Sequence, residues 1–133
     1  MRLLVSKRIL KSSEDYLEAM LILEKQHGYI RSIDIAAMLE VTKPSVSYAV
    51  KRLRENGYIL MEKDGRITLT ESGLAIAERI YERHTLLIKF LVALGVSEET
   101  AREDACKIEH DLSDETFQAM KEHARIYGKN IDL

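Results

Sequence analysis

Apolar residues recur at helical spacing along most of this chain, and the period changes once. Tyr16, Leu17, Met20, Leu21 and Leu23 make a stripe that predicts a helix capped by Ser13, running to about His27 and stopped by Gly28. Ser32 is placed to cap a short helix, Ile33 to Leu39, which the turn Glu40-Val41-Thr42 separates from the next. Pro44 falls in the first turn of that next helix, where its missing N–H costs nothing, and the helix should reach about Asn56 before Gly57. From Tyr58 to Leu69 the period falls to two: Ile59 and Met61, then Ile67 and Leu69, flank Asp64-Gly65 as a hairpin flanks its turn. Thr70 should cap a long helix to Ala93 or Leu94, Ser97 one to about Asp111, and Ser113 a last one to about Tyr127, with Gly95 and Gly128 as stops. The residues after Gly128 read as a frayed tail.

Two short helices joined by a tight turn and followed by a hairpin predict a winged helix-turn-helix. The expected fold is mainly α with a small β-hairpin, divided into a winged domain over 1–72 and a helical domain over 73–133. Two cores drawn from 133 residues are each marginal. Burying apolar surface between subunits is the common remedy, so a homodimer is expected.

The helix from Pro44 would enter a major groove. Val46, Val50 and Leu53 form its inward stripe, which leaves Lys43, Pro44, Ser45, Ser47, Tyr48, Lys51 and Arg52 on the flanks that can face DNA. Short hydroxyl side chains near the helix start suit base edges. Lys51, Arg52 and Arg54 suit phosphates, and Lys63 and Arg66 at the wing tip suit the backbone or minor groove. The net charge of −2 hides an uneven split: residues 1–70 carry 12 Lys and Arg against 9 Asp and Glu, whereas residues 71–133 carry 8 against 13. The first half can meet phosphate and the second cannot.

A single cysteine rules out an intramolecular disulfide, and no apolar run approaches the roughly 18 residues of a membrane span. The opening MRLLVSKRILKSS scatters basic residues through a short apolar stretch, which reads as a cytoplasmic start rather than a signal peptide. No HExxH, Gly-rich phosphate loop or nucleophile elbow occurs, so no enzyme is expected.

The residues with metal chemistry cluster by spacing. Cys106, Glu109 and His110 stand at i, i+3 and i+4, one face of a helix, and Asp15 and Glu18 repeat the i, i+3 spacing near the start. With His84 they supply carboxylate, imidazole and thiolate from three predicted helices, a donor set for a divalent first-row metal. Oxygen ligands favour Mn(II), and the sulfur pulls toward Fe(II), Co(II), Ni(II) or Zn(II). Each residue also has an ordinary role: Asp15 and Glu18 as charges in a first helical turn, His84 as a surface hydrogen bonder, Cys106 as a small core residue, Glu109 as a solvated face residue and His110 as a helix-end cation.

The stretches SSEDYLEAM, DIAAMLEVTKPSVSYAVKRLRENGYI, ERHTLL and EDACKIEHDLSDE resemble the diphtheria toxin repressor family of metal-dependent transcriptional regulators, over nearly the whole chain. The short two-domain form is similar to the manganese transport regulators, and the chain stops before the SH3-like third domain of the longer iron regulators. The resemblance implies that Asp15 and Glu18 match the first-helix ligands of the manganese branch, His84 its helix-4 ligand, and Glu109 and His110 its Glu-His pair. Cys106 stands where that branch has Glu and the iron branch has Cys, whereas the iron branch has Met at Asp15. The site is a hybrid. Ile88 and Arg102 replace two ligands of the iron branch's ancillary site, which therefore cannot form in the same way.

These observations lead to the expectation of a cytoplasmic repressor that binds a palindromic double-stranded DNA operator, with Mn(II) or Fe(II) as corepressor in control of metal homeostasis genes. Two alternatives stay open: a winged-helix regulator sensing thiol oxidation or an organic ligand, and a di-metal helical enzyme, which would need a second ligand-bearing Glu-x-x-His motif.

Overall fold

A computed structural model describes residues 10–128; the basic opening up to residue 9 and the tail beyond Gly128 lie outside the described residues. The chain divides into two compact units, Met1–Glu78 and Arg79–Leu133. No helix among the described residues is long and apolar enough to cross a membrane.

The first unit holds α1 (Lys11–His27), β1 (Ile30–Arg31), α2 (Ser32–Leu39), α3 (Lys43–Glu55), β2 (Ile59–Met61), β3 (Arg66–Leu69) and the start of α4 (Glu71–Ala93). Leu17, Met20, Ile30, Ile35, Val46, Leu53 and Ile59 are its most deeply buried apolar side chains. They come from α1, β1, α2, α3 and β2, and Ile67 of β3 and Ala77 of α4 are buried with them.

Two predicted caps are corrected. α1 begins two residues before Ser13, on the extended Leu10, and no side chain caps it; Glu14 N–H closes the first turn on the Leu10 carbonyl at 3.0 Å. Ser32 is the first residue of α2 rather than its cap, because Arg31 is held extended at φ −130° by pairing with Arg66 and takes the capping position itself. That pairing also enlarges the predicted hairpin. β1 joins the edge of β3 to make a three-stranded antiparallel sheet of order β1-β3-β2, with Ile30 opposite Ile67 and Ile59 opposite Leu69.

The wing is longer at its tip than a two-residue turn. Gly65 N–H bonds the Glu62 carbonyl and Glu62 N–H bonds the Arg66 carbonyl, so Lys63-Asp64-Gly65 forms the loop, with Gly65 at φ 89° in the left-handed region that favours glycine. Asp64 Oδ1 accepts from Arg66 N–H at 3.1 Å and fixes the return into β3.

α3 starts as expected. Thr42 Oγ1 accepts from Ser45 N–H at 3.2 Å, and Pro44 occupies the first turn. α4 starts on Thr70, whose Oγ1 accepts from Gly73 N–H and donates to the Gly57 carbonyl at 2.7 Å. A Cβ on Gly73 would sit 2.0 Å from the Tyr58 carbonyl oxygen, so only glycine lets the helix approach this closely.

The second unit holds the remainder of α4, α5 (Glu98–Ile108) and α6 (Asp114–Tyr127). Ser97 and Ser113 cap α5 and α6 through the N–H groups of Thr100 and Thr116. Leu86, Phe117 and Ala124 form a core cluster, with Phe90 and Met120 packed against it. α5 ends at Ile108, three residues short of the predicted Asp111, and a tight turn carries Glu109 to Leu112 before α6.

Candidate functional site

Three of the six residues with metal chemistry meet in the second unit. His84 projects from α4 and Cys106 from the last turn of α5, while Glu109 is the residue on which α5 ends, its N–H still bonded to the Ala105 carbonyl. One donor atom from each lies within 4.8 Å of the others. His84 Nδ1 stands 2.8 Å from Glu109 Oε2 and 4.0 Å from Cys106 Sγ. The i, i+3 spacing of Cys106 and Glu109 brings both side chains to His84.

His110 lies in the turn, two residues beyond the end of α5. Its Nε2 is 3.4 Å from Glu109 Oε1. The Glu109 side chain is 0% exposed, and its Oε1 makes no hydrogen bond among the described residues. Burial of a carboxylate is costly unless its oxygens are satisfied, and an acceptor atom beside an imidazole nitrogen, a second imidazole and a thiol fits a divalent cation. Cys106 is exposed, which removes its ordinary role as a core residue.

Asp15 and Glu18 belong to the first unit, one turn apart on α1. Asp15 is half-buried and Glu18 is 8% exposed, so neither is a fully solvated charge.

Sequence reasoning missed Arg83. The side chain is 4% exposed; Nη1 donates to the carbonyls of Glu109 at 3.2 Å and Leu112 at 2.6 Å, and Nη2 donates to Asp114 Oδ1. Its guanidinium carbon lies 5.3 Å from the centre of the Phe117 ring. A cation taking carbonyls at the end of a helix is favourable, and here it satisfies carbonyls that lie beyond the last residue of α5. The only sequence signal was an arginine beside His84.

The residues expected to face DNA lie in the first unit. Val46, Val50 and Leu53 are 1%, 4% and 2% exposed, whereas Lys43, Pro44, Ser45, Ser47, Tyr48, Lys51, Arg52, Lys63 and Arg66 are all exposed. Ser45 Oγ accepts from Thr42 Oγ1 at 2.9 Å and retains its own proton for donation. Arg52 donates to the Tyr48 hydroxyl at 3.2 Å and lies 5.8 Å from its ring centre, which holds the arginine along the helix and raises its pKa further. At the wing, Arg66 pairs with Asp64 at 2.8 Å. Arg31, another residue the pattern did not single out, donates to the Asp64 carbonyl at 3.0 Å and braces the tip from β1.

Comparison with known proteins places these features together. Residues 8–67 match the family described as iron dependent repressor, N-terminal DNA binding domain. Residues 70–125 match its metal binding and dimerisation domain. The HTH-type transcriptional regulator MntR of Lysinibacillus sphaericus is 36% identical over 122 residues, covering 92% of this chain and 88% of that protein. An HTH-type transcriptional regulator of Methanocaldococcus jannaschii is 39% identical over 113 residues, covering 84% and 90%. Among solved structures, the manganese regulator SloR is similar with a TM-score of 0.76 and 29% identity, over 85% of this chain and 53% of that one. The chain thus spans about half the length of that solved relative.

Proposed function

This chain belongs to the iron-dependent repressor family of metal-responsive transcriptional repressors, and from that premise we propose that Mn(II) or Fe(II) is its corepressor. The observation that carries the reading is the buried Glu109 carboxylate set among His84, Cys106 and His110, with one oxygen making no hydrogen bond among the described residues. The family is one of regulators rather than enzymes. Its dimerisation segment supports a homodimer acting on DNA.

Asp15 and Glu18 from α1, His84 from α4, and Cys106, Glu109 and His110 from the end of α5 are the proposed ligands. On this reading a domain boundary near residue 72, ahead of the division of the compact units at Glu78 and Arg79, separates the DNA-reading part from the part that supplies most of the ligands. A bound divalent cation would supply the positive charge that lets several carboxylates and a thiolate share one site. Without it, like charge on Asp15, Glu18 and Glu109 would disfavour their sharing one site. Carboxylates that draw together on binding hold α1 to the later ligands, and α3 of each protomer is thereby set for one half of a palindromic operator, about one DNA turn from its partner. By linkage, operator DNA then tightens metal binding by the factor through which metal tightens DNA binding.

Elemental analysis of protein dialysed against Mn(II) or Fe(II) without oxygen, beside His110→Ala, tests the ligand set. Stoichiometric metal in the wild type and its loss in a folded variant are expected. Equal metal content would contradict the assignment.

A further inference from the structure

We propose that Arg83 is a positioning residue for the metal ligands, holding the turn that carries Glu109 and His110; this rests on the reading that those two residues bind the ion. Arg83 and His84 are neighbours on α4, and each takes one end of Glu109. Arg83 Nη1 holds its backbone carbonyl at 3.2 Å, and His84 Nδ1 meets its carboxylate at 2.8 Å. The same Nη1 holds the Leu112 carbonyl at 2.6 Å, so a single nitrogen bridges both ends of the turn from 109 to 112.

Within the turn, Asp111 N–H bonds the Ile108 carbonyl at 3.0 Å. α5 has ended at Ile108 and α6 has not begun, so the carbonyls that Arg83 takes have no place in either helix. The guanidinium is anchored in turn, by Asp114 in the first turn of α6 and by the face of Phe117, a member of the core cluster. A rigid path therefore runs from the packed α4 and α6 side chains through Arg83 to the backbone of Glu109. Arg83 Nη1 and Nη2 bond backbone carbonyls and Asp114, which leaves the Glu109 carboxylate to other partners. A lysine would keep the positive charge but could not fork between the turn and Asp114.

The test uses the full chain with Arg83→Gln, Arg83→Lys and Asp114→Asn, read by apo circular dichroism, Mn(II) titration and the visible spectrum of bound Co(II). Arg83→Gln should keep its helical signal, bind Mn(II) about 10- to 100-fold more weakly and give a changed Co(II) spectrum. Arg83→Lys should fail to restore it, and Asp114→Asn should lose several-fold. The metal concentration that half-saturates DNA binding should rise by the same factor while the DNA affinity at saturating metal is unchanged, an outcome that a general folding defect would not give. Wild-type affinity and spectrum in Arg83→Gln would overturn the positioning role. If that variant does not fold, wild-type behaviour of Asp114→Asn overturns it instead. A wild-type protein that binds neither ion would overturn the ligand assignment itself.

Discussion

His84 Nδ1 and Glu109 Oε2 lie 2.8 Å apart across 25 residues of sequence, and the carboxylate they share is fully buried. Helix α4 thus reaches the end of α5 at the residue where a charge is most expensive to hide. A buried carboxylate between two imidazoles, with one oxygen that makes no hydrogen bond among the described residues, is a poor device for stability and a good one for capturing a cation.

Glu109→Gln separates those two uses. The amide keeps the shape and removes the charge, so Mn(II) binding should weaken by more than about 100-fold, or about 2.7 kcal/mol. The metal-free protein should stay within about 1 kcal/mol of wild type. Calorimetric titration and thermal melting of the metal-free protein check the pair of outcomes, and retained affinity would show that Glu109 is not a ligand.

Cys106→Glu should move metal preference toward Mn(II) and away from Co(II) and Zn(II), since oxygen replaces sulfur in the donor set. Competition titrations between Mn(II) and Co(II) read the ratio. An unchanged ratio would mean that the exposed thiol does not reach the metal.

Gly73→Ala should destabilise the protein by about 1 to 3 kcal/mol, because the new methyl would meet the Tyr58 carbonyl oxygen at 2.0 Å and the start of α4 must move. Urea denaturation monitored by helical signal checks it. A variant as stable as wild type would mean that the contact between Thr70, Gly73 and the Gly57-Tyr58 turn carries no weight.

The elements written in local chemistry could be read directly. Thr70, Ser97 and Ser113 announce their helices because each hydroxyl takes the N–H three residues on, and Val46, Val50 and Leu53 announce the inward face of α3 by period alone. What depends on distant partners could not. β1 is two residues long and shows no alternation, so only its pairing with β3 reveals it. The carbonyl of Glu109, just past the end of α5, is met by Arg83 from 26 residues away, and the need for glycine at position 73 is created by the Tyr58 carbonyl. The spacing of Cys106 and Glu109 put the two on one side, yet their contact with His84 has no local signature.

Lys51→Ala and Arg52→Ala should each weaken DNA binding about equally for all sequences and reduce the slope of log affinity against log salt by about 1, the mark of a lost phosphate contact. Ser47→Ala should instead change which operator variants are preferred. Salt-dependent fluorescence anisotropy distinguishes them, and an unchanged slope would remove Lys51 or Arg52 from the interface.

Asp64 lends the wing an acid sensitivity of known sign. Its pKa is lowered, chiefly by the hydrogen bond from Arg66 N–H and then by the charges of Arg66 and Arg31, so the ionised form favours the folded wing. That contribution is present above the ordinary carboxylate pKa of about 4 and is lost as pH falls through the lower folded value. The stability difference between wild type and Asp64→Asn should therefore shrink below pH ~4. A difference constant from pH 7 downward would contradict the assignment.

The most direct measurement is the affinity of the dimer for DNA from its own promoter region, titrated without oxygen against Mn(II), Fe(II), Co(II) and Zn(II) and repeated with chelator. The account predicts tight, footprinted binding with Mn(II) or Fe(II), its loss with chelator, and no metal response in His110→Ala. Equal affinity with chelator and with every metal would contradict it.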